Sequence, residues 1–143
     1  MNKLEIEMVP SSTWGINLRA VLTQSQWDKL RKKFFKKADN KCEICGASGT
    51  MEGHEIWSYN DTTHVQSLEG IICLCKKCHM VKHFGRTQLV GKEKIALDQL
   101  MKVNKWTYVE AKKHHADKTA EWNEREKHEW DVDVSKIKEL TEE

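Results

Sequence analysis

The apolar positions of the chain change period several times, and each change marks an element. Leu4, Ile6 and Met8 alternate with Lys3, Glu5 and Glu7. A period of two predicts a half-buried amino-terminal strand, which Pro10 stops. After a connecting segment over 11–22, Thr23 and Gln26 have the spacing of a capping box, with Leu22 and Trp27 placed for a hydrophobic staple. The helix they open carries Trp27, Leu30, Phe34 and Ala38 on one stripe and lysines on the other, and should end near Asp39 and Asn40.

From Cys42 to about Arg86 the helical period fades and turn residues gather. Two apolar runs, over 51–57 and 70–74, predict a pair of strands, and residues 76–84 predict a helix that Gly85 would cap. Beyond it, Leu97, Leu100 and Met101 suggest a short helix ending at Asn104. Thr107 and Glu110 repeat the capping-box signal and open a helix carrying Tyr108, Ala111, His115, Thr119 and Trp122 at spacings of three and four. Trp130, Val132 and Val134 alternate in a final strand before an acidic tail. With no repeat and no low-complexity linker, the expectation is one α+β domain over 1–143, its core at 42–86 between an amino-terminal strand and helix (1–41) and a carboxy-terminal helical arm (87–143).

Composition changes this picture in three respects. Charged residues make up 32% of the 143 positions, and the mean hydropathy is −0.72. No apolar run approaches the roughly 18 residues of a membrane span, and MNKLEIEMVP lacks the apolar stretch of a secretory signal. The expected location is therefore the cytoplasm. The net charge of +2 argues for no partner, but Arg31, Lys32, Lys33, Lys36 and Lys37 crowd one helix. That face suits phosphates, although a solvated helix surface would look the same.

The third respect is the five cysteines, four of which form two C-x-x-C pairs, Cys42/Cys45 and Cys75/Cys78. In a reducing compartment two such pairs are better explained by metal than by disulfides or redox chemistry. Each turn aims both sulfurs into one concavity, and two turns complete a tetrahedral S4 shell for Zn²⁺. Such a site is structural, because four thiolates leave no open position. Gly46 suits the first turn by accepting positive φ. Cys73, in the run Ile71-Ile72-Cys73-Leu74, reads as a small buried hydrophobe.

Between the pairs lies His54, and after the second come His79 and His83, four apart. On a helix that spacing puts both imidazoles on one face, where they can grip one ion. His54-Glu55 is followed by Ile-Trp-Ser and not by the second histidine of a zincin protease.

With these ligands in this order, residues 42–86 resemble the cysteine-containing HNH endonucleases, whose ββα-metal fold is stapled by zinc knuckles. The phrases VPSSTWGINLR, HEIWSYN, ICLCKKCHMVKHFGR and VNKWT look like those of bacterial and phage members. The resemblance implies hydrolysis of DNA phosphodiester bonds with one divalent catalytic metal such as Mg²⁺ or Mn²⁺. It makes His54 the general base and His79 and His83 the holders of the catalytic metal, and Lys76, Lys77, Lys82 and Arg86 would hold phosphates. Two positions depart from the pattern. Gly53 stands where a metal-ligating Asp or His is common, and Gly70 stands at the motif's Asn. Glu52 and Glu55 are the candidates for the missing carboxylate, and Asn60, His64 and Gln66 for the positioning role. The alternative expectation is a catalytically weak or inactive HNH-derived zinc module that binds nucleic acid or, through its six tryptophans, a protein.

Overall fold

The computed structural model describes residues 3–142. The first short helix, α1 (Leu18–Val21), is capped by the Asn17 side chain, and α2 (Gln24–Lys37) opens with the full Thr23/Gln26 capping box. Two long strands, β1 (Met51–Asn60) and β2 (Val65–Cys75), form an antiparallel hairpin. Helices α3 (Lys76–Lys82), α4 (Phe84–Leu89), α5 (Glu93–Asn104) and α6 (Tyr108–Glu126) follow, then β3 (Asp131–Asp133) and α7 (Ile137–Thr141). The sheet has the order β1-β2-β3, with β3 parallel to β2.

The hairpin reverses through residues 61–64. There the Asn60 carboxamide accepts the N–H groups of Thr62 and Thr63, both at 3.0 Å, and His64 takes a positive φ of 58°. An irregularity between Ile56 and Trp57 shifts the register midway, so the strand's two halves pair with β2 in different phase. The tip is pinned to the end of α6, where the Arg125 guanidinium pairs with Asp61 and stands 4.2 Å over the Tyr59 ring.

Two apolar clusters hold this frame. One gathers Leu4, Ile6, Phe35, Ile44, Leu74, Val81, Phe84 and Leu100; the other gathers Leu18, Trp27, Leu30, Leu68 and Ile71. Helix α2 serves both. Trp27, Leu30 and the half-buried Phe34 enter the second cluster, while Phe35, outside the expected stripe, is buried in the first. The final strand is present but short, and Val134, Ile137 and Leu140 behind it pack on the second cluster.

Two expected elements are different. The amino-terminal segment is extended and alternates buried Leu4 and Ile6 with exposed Glu5, but it is no strand. Its backbone groups are met by side chains instead of a ladder. The Asn104 carboxamide accepts from Leu4 N at 3.0 Å and donates to Leu4 O at 2.7 Å, and His114 Nε2 accepts from Ile6 N at 3.0 Å. Alternating burial needs only a groove, here one lined by α5 and α6, and a sheet is one of several ways to make one. The helix expected over 76–84 breaks at His83 (φ −105°, ψ 49°), and Gly85 lies inside α4 and caps nothing.

Candidate metal centres and their flanking cavities

The first cysteine pair sits in a turn closed by Gly46 N donating to Cys42 O at 2.9 Å, with Gly46 at φ 80° as expected. The second pair is the amino-terminal end of α3. Cys75 is its N-cap residue, and its sulfur accepts from Cys78 N at 3.5 Å. In the first turn Cys42 Sγ likewise accepts from Cys45 N at 3.4 Å. The four sulfurs all lie within 4.8 Å of one another, with Cys45 and Cys75 at 3.6 Å. A tetrahedron with Zn–S bonds of about 2.3 Å has S···S edges of about 3.8 Å, so the donor set fits such an ion. Gln99 Nε2 adds a hydrogen bond to Cys78 Sγ at 3.3 Å. Hydrogen bonding between Cys42 and Cys78 drives the first thiol down and the second up.

Cys73 stands outside this set. It is fully buried, and burial raises its thiol to about 11, the behaviour of a small hydrophobe. Its backbone is used differently. Glu43 N donates to Cys73 O at 2.9 Å, and Cys73 N donates to Glu43 Oε2 at 2.7 Å. The first turn is thereby clamped to β2.

The hairpin and α3 bring His54, His79 and His83 together. One nitrogen of each lies within 4.8 Å of the others, and the ring centroids are 4.7–5.2 Å apart. Two of the rings are oriented by carboxylates. His54 Nε2 meets Glu7 Oε2 at 2.5 Å, and His79 Nδ1 meets Glu52 Oε1 at 2.7 Å. These contacts leave His54 Nδ1 and His79 Nε2 for another partner. His54 Nδ1 is buried without one. An orphaned ring nitrogen beside two more imidazoles, each carboxylate on the far side of its ring, fits a divalent ion with outer-shell support.

Burial lowers His79 despite its bond to Glu52. Crowding by protein atoms, together with the rings of His54 and His79, pushes His83 down to about 4, although the residue reaches the surface. Burial alone would raise Glu7, but the hydrogen bond and charge of His54 hold it below the usual range. Glu55, beside His54, is raised by burial.

Two cavities meet at this cluster. One, of about 600 Å³, is polar: His79 and His83 share its wall with Glu52, Glu55, Arg19, Lys76, Arg86 and Lys92. The other, of about 560 Å³, is mostly apolar; its wall includes His54, His83, Lys82 and Arg86 together with Trp14, Trp57 and Trp122. Of the four cations expected near the site, Lys76, Lys82 and Arg86 line one or both cavities, whereas Lys77 lines neither. Sequence spacing does not reveal Arg19, which lies on α1 well before His54, or Lys92, which the break after α3 and the short helix α4 bring back to the cavity wall.

The two glycines have local reasons. A Cβ at Gly53 would meet Trp27 and Arg31 of α2 at 3.4 Å, so a larger side chain there would press on the helix that packs across β1. Gly70 pairs with Ile56 beside the register shift. Of the candidate substitutes, Glu52 is bonded to His79, Glu55 lies between the two cavities, and Asn60 and His64 belong to the hairpin tip. Gln66 is buried on β2 and lines the apolar cavity. Searches of protein-family models, curated proteins and solved structures match this chain to none of them.

Proposed function

We propose that the chain is a metal-dependent endonuclease of the HNH type acting on DNA, with a structural zinc in the four cysteines and a catalytic divalent ion among the three histidines. The observation that carries this reading is the orphaned, buried His54 Nδ1 facing His79 and His83, with Glu7 and Glu52 behind the rings. A divalent ion held there would supply charge that polarises a phosphate oxygen and stabilises the departing 3′ oxygen. Mg²⁺ or Mn²⁺ is the expectation from the resemblance, although three imidazoles suit a transition ion better than Mg²⁺.

The chain's own groups do the rest. Glu7 and Glu52 fix the ring orientations of His54 and His79. Arg19, Lys76, Arg86 and Lys92 line the polar cavity and suit the backbone phosphates. Glu55 lines both cavities, and we take it as the candidate carboxylate to accept a proton from the attacking water.

This assignment moves His54 from proton acceptor to third ligand. Its Nδ1 is enclosed, and a base acting on bulk-derived water needs access. A second reading keeps His54 as the base: with Nε2 held by Glu7, Nδ1 is left to accept the proton, as in other carboxylate-oriented imidazoles. One experiment separates these readings and tests the whole proposal. Plasmid nicking with added Mg²⁺ or Mn²⁺, and Mn²⁺ affinity, are measured for the wild type, His54→Ala and Glu55→Gln. A ligand role predicts that His54→Ala loses both Mn²⁺ affinity and cleavage; a base role predicts lost cleavage with affinity intact. Wild-type protein that nicks nothing across divalent metals would leave the non-hydrolytic zinc module in its place.

A further inference from the structure

We infer that the apolar cavity beside the histidines is a pocket for one unstacked nucleobase, so that the substrate is single-stranded or locally opened nucleic acid. The inference deepens the nuclease reading and rests on it for the position of the phosphates. Three observations carry it.

The first is the composition of the wall. Met8, Ile16, Trp57 and Trp122 line a space of about 560 Å³, with Trp14 (65% exposed) and Leu89 (89% exposed) also contributing. That volume is within the usual range of roughly 300–1,000 Å³ for small-molecule sites. The indole N–H groups of Trp14 and Trp122 both donate to Val9 O, at 2.8 and 3.0 Å. With their one polar atom used, these rings have only π surface to offer, which is what a base stacks on.

The second is a buried amide with one end unmet. Gln66 is 1% exposed, and one end of its amide meets Thr13 Oγ1 at 2.8 Å, while the Thr13 hydroxyl also reaches Pro10 O at 3.0 Å. The other end of the amide has no hydrogen-bond partner. Gln66 and Thr13 both line this cavity. A purely apolar occupant, such as an aliphatic side chain or a lipid tail, would leave that amide end unmet. A base brings donors as well as ring-nitrogen and carbonyl acceptors on its edge, along with a flat apolar face.

The third is continuity with the polar cavity. His83, Arg86, Asn17 and Glu55 line both spaces. A nucleotide whose phosphate lies toward Arg86 in the polar cavity has its base directed to the other side of the histidines. A base paired in a duplex cannot enter this cleft without leaving its stack.

The test uses the full-length, zinc-loaded chain without added divalent ions, so that nothing is cleaved. A single-stranded oligodeoxynucleotide with one 2-aminopurine is titrated against wild type, Gln66→Leu and Trp14→Ala, alongside the same sequence as a duplex. The expected result is quenching on binding to wild type, single strand bound more tightly than duplex, and affinity reduced roughly five- to a hundredfold in the variants, the span for losing one base contact. Trp14→Ala guards against a folding effect of Gln66→Leu, because Trp14 is largely exposed, and melting curves check both. Equal affinity for duplex and single strand, or normal affinity in both well-folded variants, overturns the pocket. Quenching that persists in a protein unable to nick any DNA would sink the nuclease reading alone. Absence of quenching in a protein that does nick plasmid when Mg²⁺ or Mn²⁺ is added in a separate assay would sink the pocket alone.

Discussion

The two clusters of ligating side chains are built from neighbouring stretches of chain and differ in what surrounds them. The four sulfurs come from two turns, each closed by its own backbone, and their remaining neighbours are core residues and Gln99. The three imidazoles come from a strand and a broken helix, are propped by carboxylates from elsewhere, and border two cavities. A shell closed on every side can only hold the fold together. A shell of three nitrogens beside open space has room for a reacting molecule. This difference in surroundings, and not the identity of the side chains alone, is the ground on which we propose different roles for the two clusters.

The largest effect that tests this contrast is at the cysteines. Cys42→Ser or Cys78→Ser should release zinc and abolish cooperative thermal unfolding, because metal binding and folding are one process in small sites of this kind. Metal analysis and circular dichroism on the reduced protein decide it, and a well-folded wild type without zinc would refute it. Cys73→Ser is the control and should retain one zinc per chain.

Next in size is the open centre. His79→Ala should lower nicking by about two orders of magnitude or more while the zinc content stays at one per chain and the melting curve is little changed. Loss of zinc in that variant would show the two centres to be one unit. Smaller again is the carboxylate prop: Glu7→Gln should weaken Mn²⁺ binding about 10- to 100-fold, the usual consequence of removing an outer-shell carboxylate. An unchanged Mn²⁺ affinity would leave the Glu7–His54 contact with a purely structural role.

The smallest effect concerns the basic helix. Arg31 is paired with Asp28, and Lys33 donates to the carbonyls of Leu140 and Glu142, so part of this face is occupied by the chain itself. Lys32→Gln with Lys36→Gln should flatten the salt dependence of DNA binding by about two units of slope and leave thermal stability nearly unchanged. No change in slope would make α2 scaffold only and leave phosphate contact to Arg19, Lys76, Arg86 and Lys92.

What the sequence disclosed and what it hid follow one physical division. The capping boxes at Thr23 and Thr107, the cysteine turns and the paired apolar runs are local, with cause and effect a few residues apart, and the structure contains all of them. His79 and His83 on one helix were legible for the same reason, even though the helix breaks at the second. The hidden features are pairings across long separations: Glu7 with His54, Thr13 with Gln66, and Asn104 with Leu4. Glu7 in particular read as the polar phase of an alternating strand, and nothing in its neighbours announced a buried imidazole 47 positions away. Spacing can nominate ligands, but it cannot nominate the groups that orient them.

Cys78 and His79 are consecutive residues on α3, one in each cluster. A single peptide unit therefore joins the cysteine cluster to the histidine cluster. If both hold ions as proposed, their loading is coupled: fixing the first turn of α3 through its sulfurs would also set the place of the neighbouring imidazole, so the first ion would prepare the site of the second.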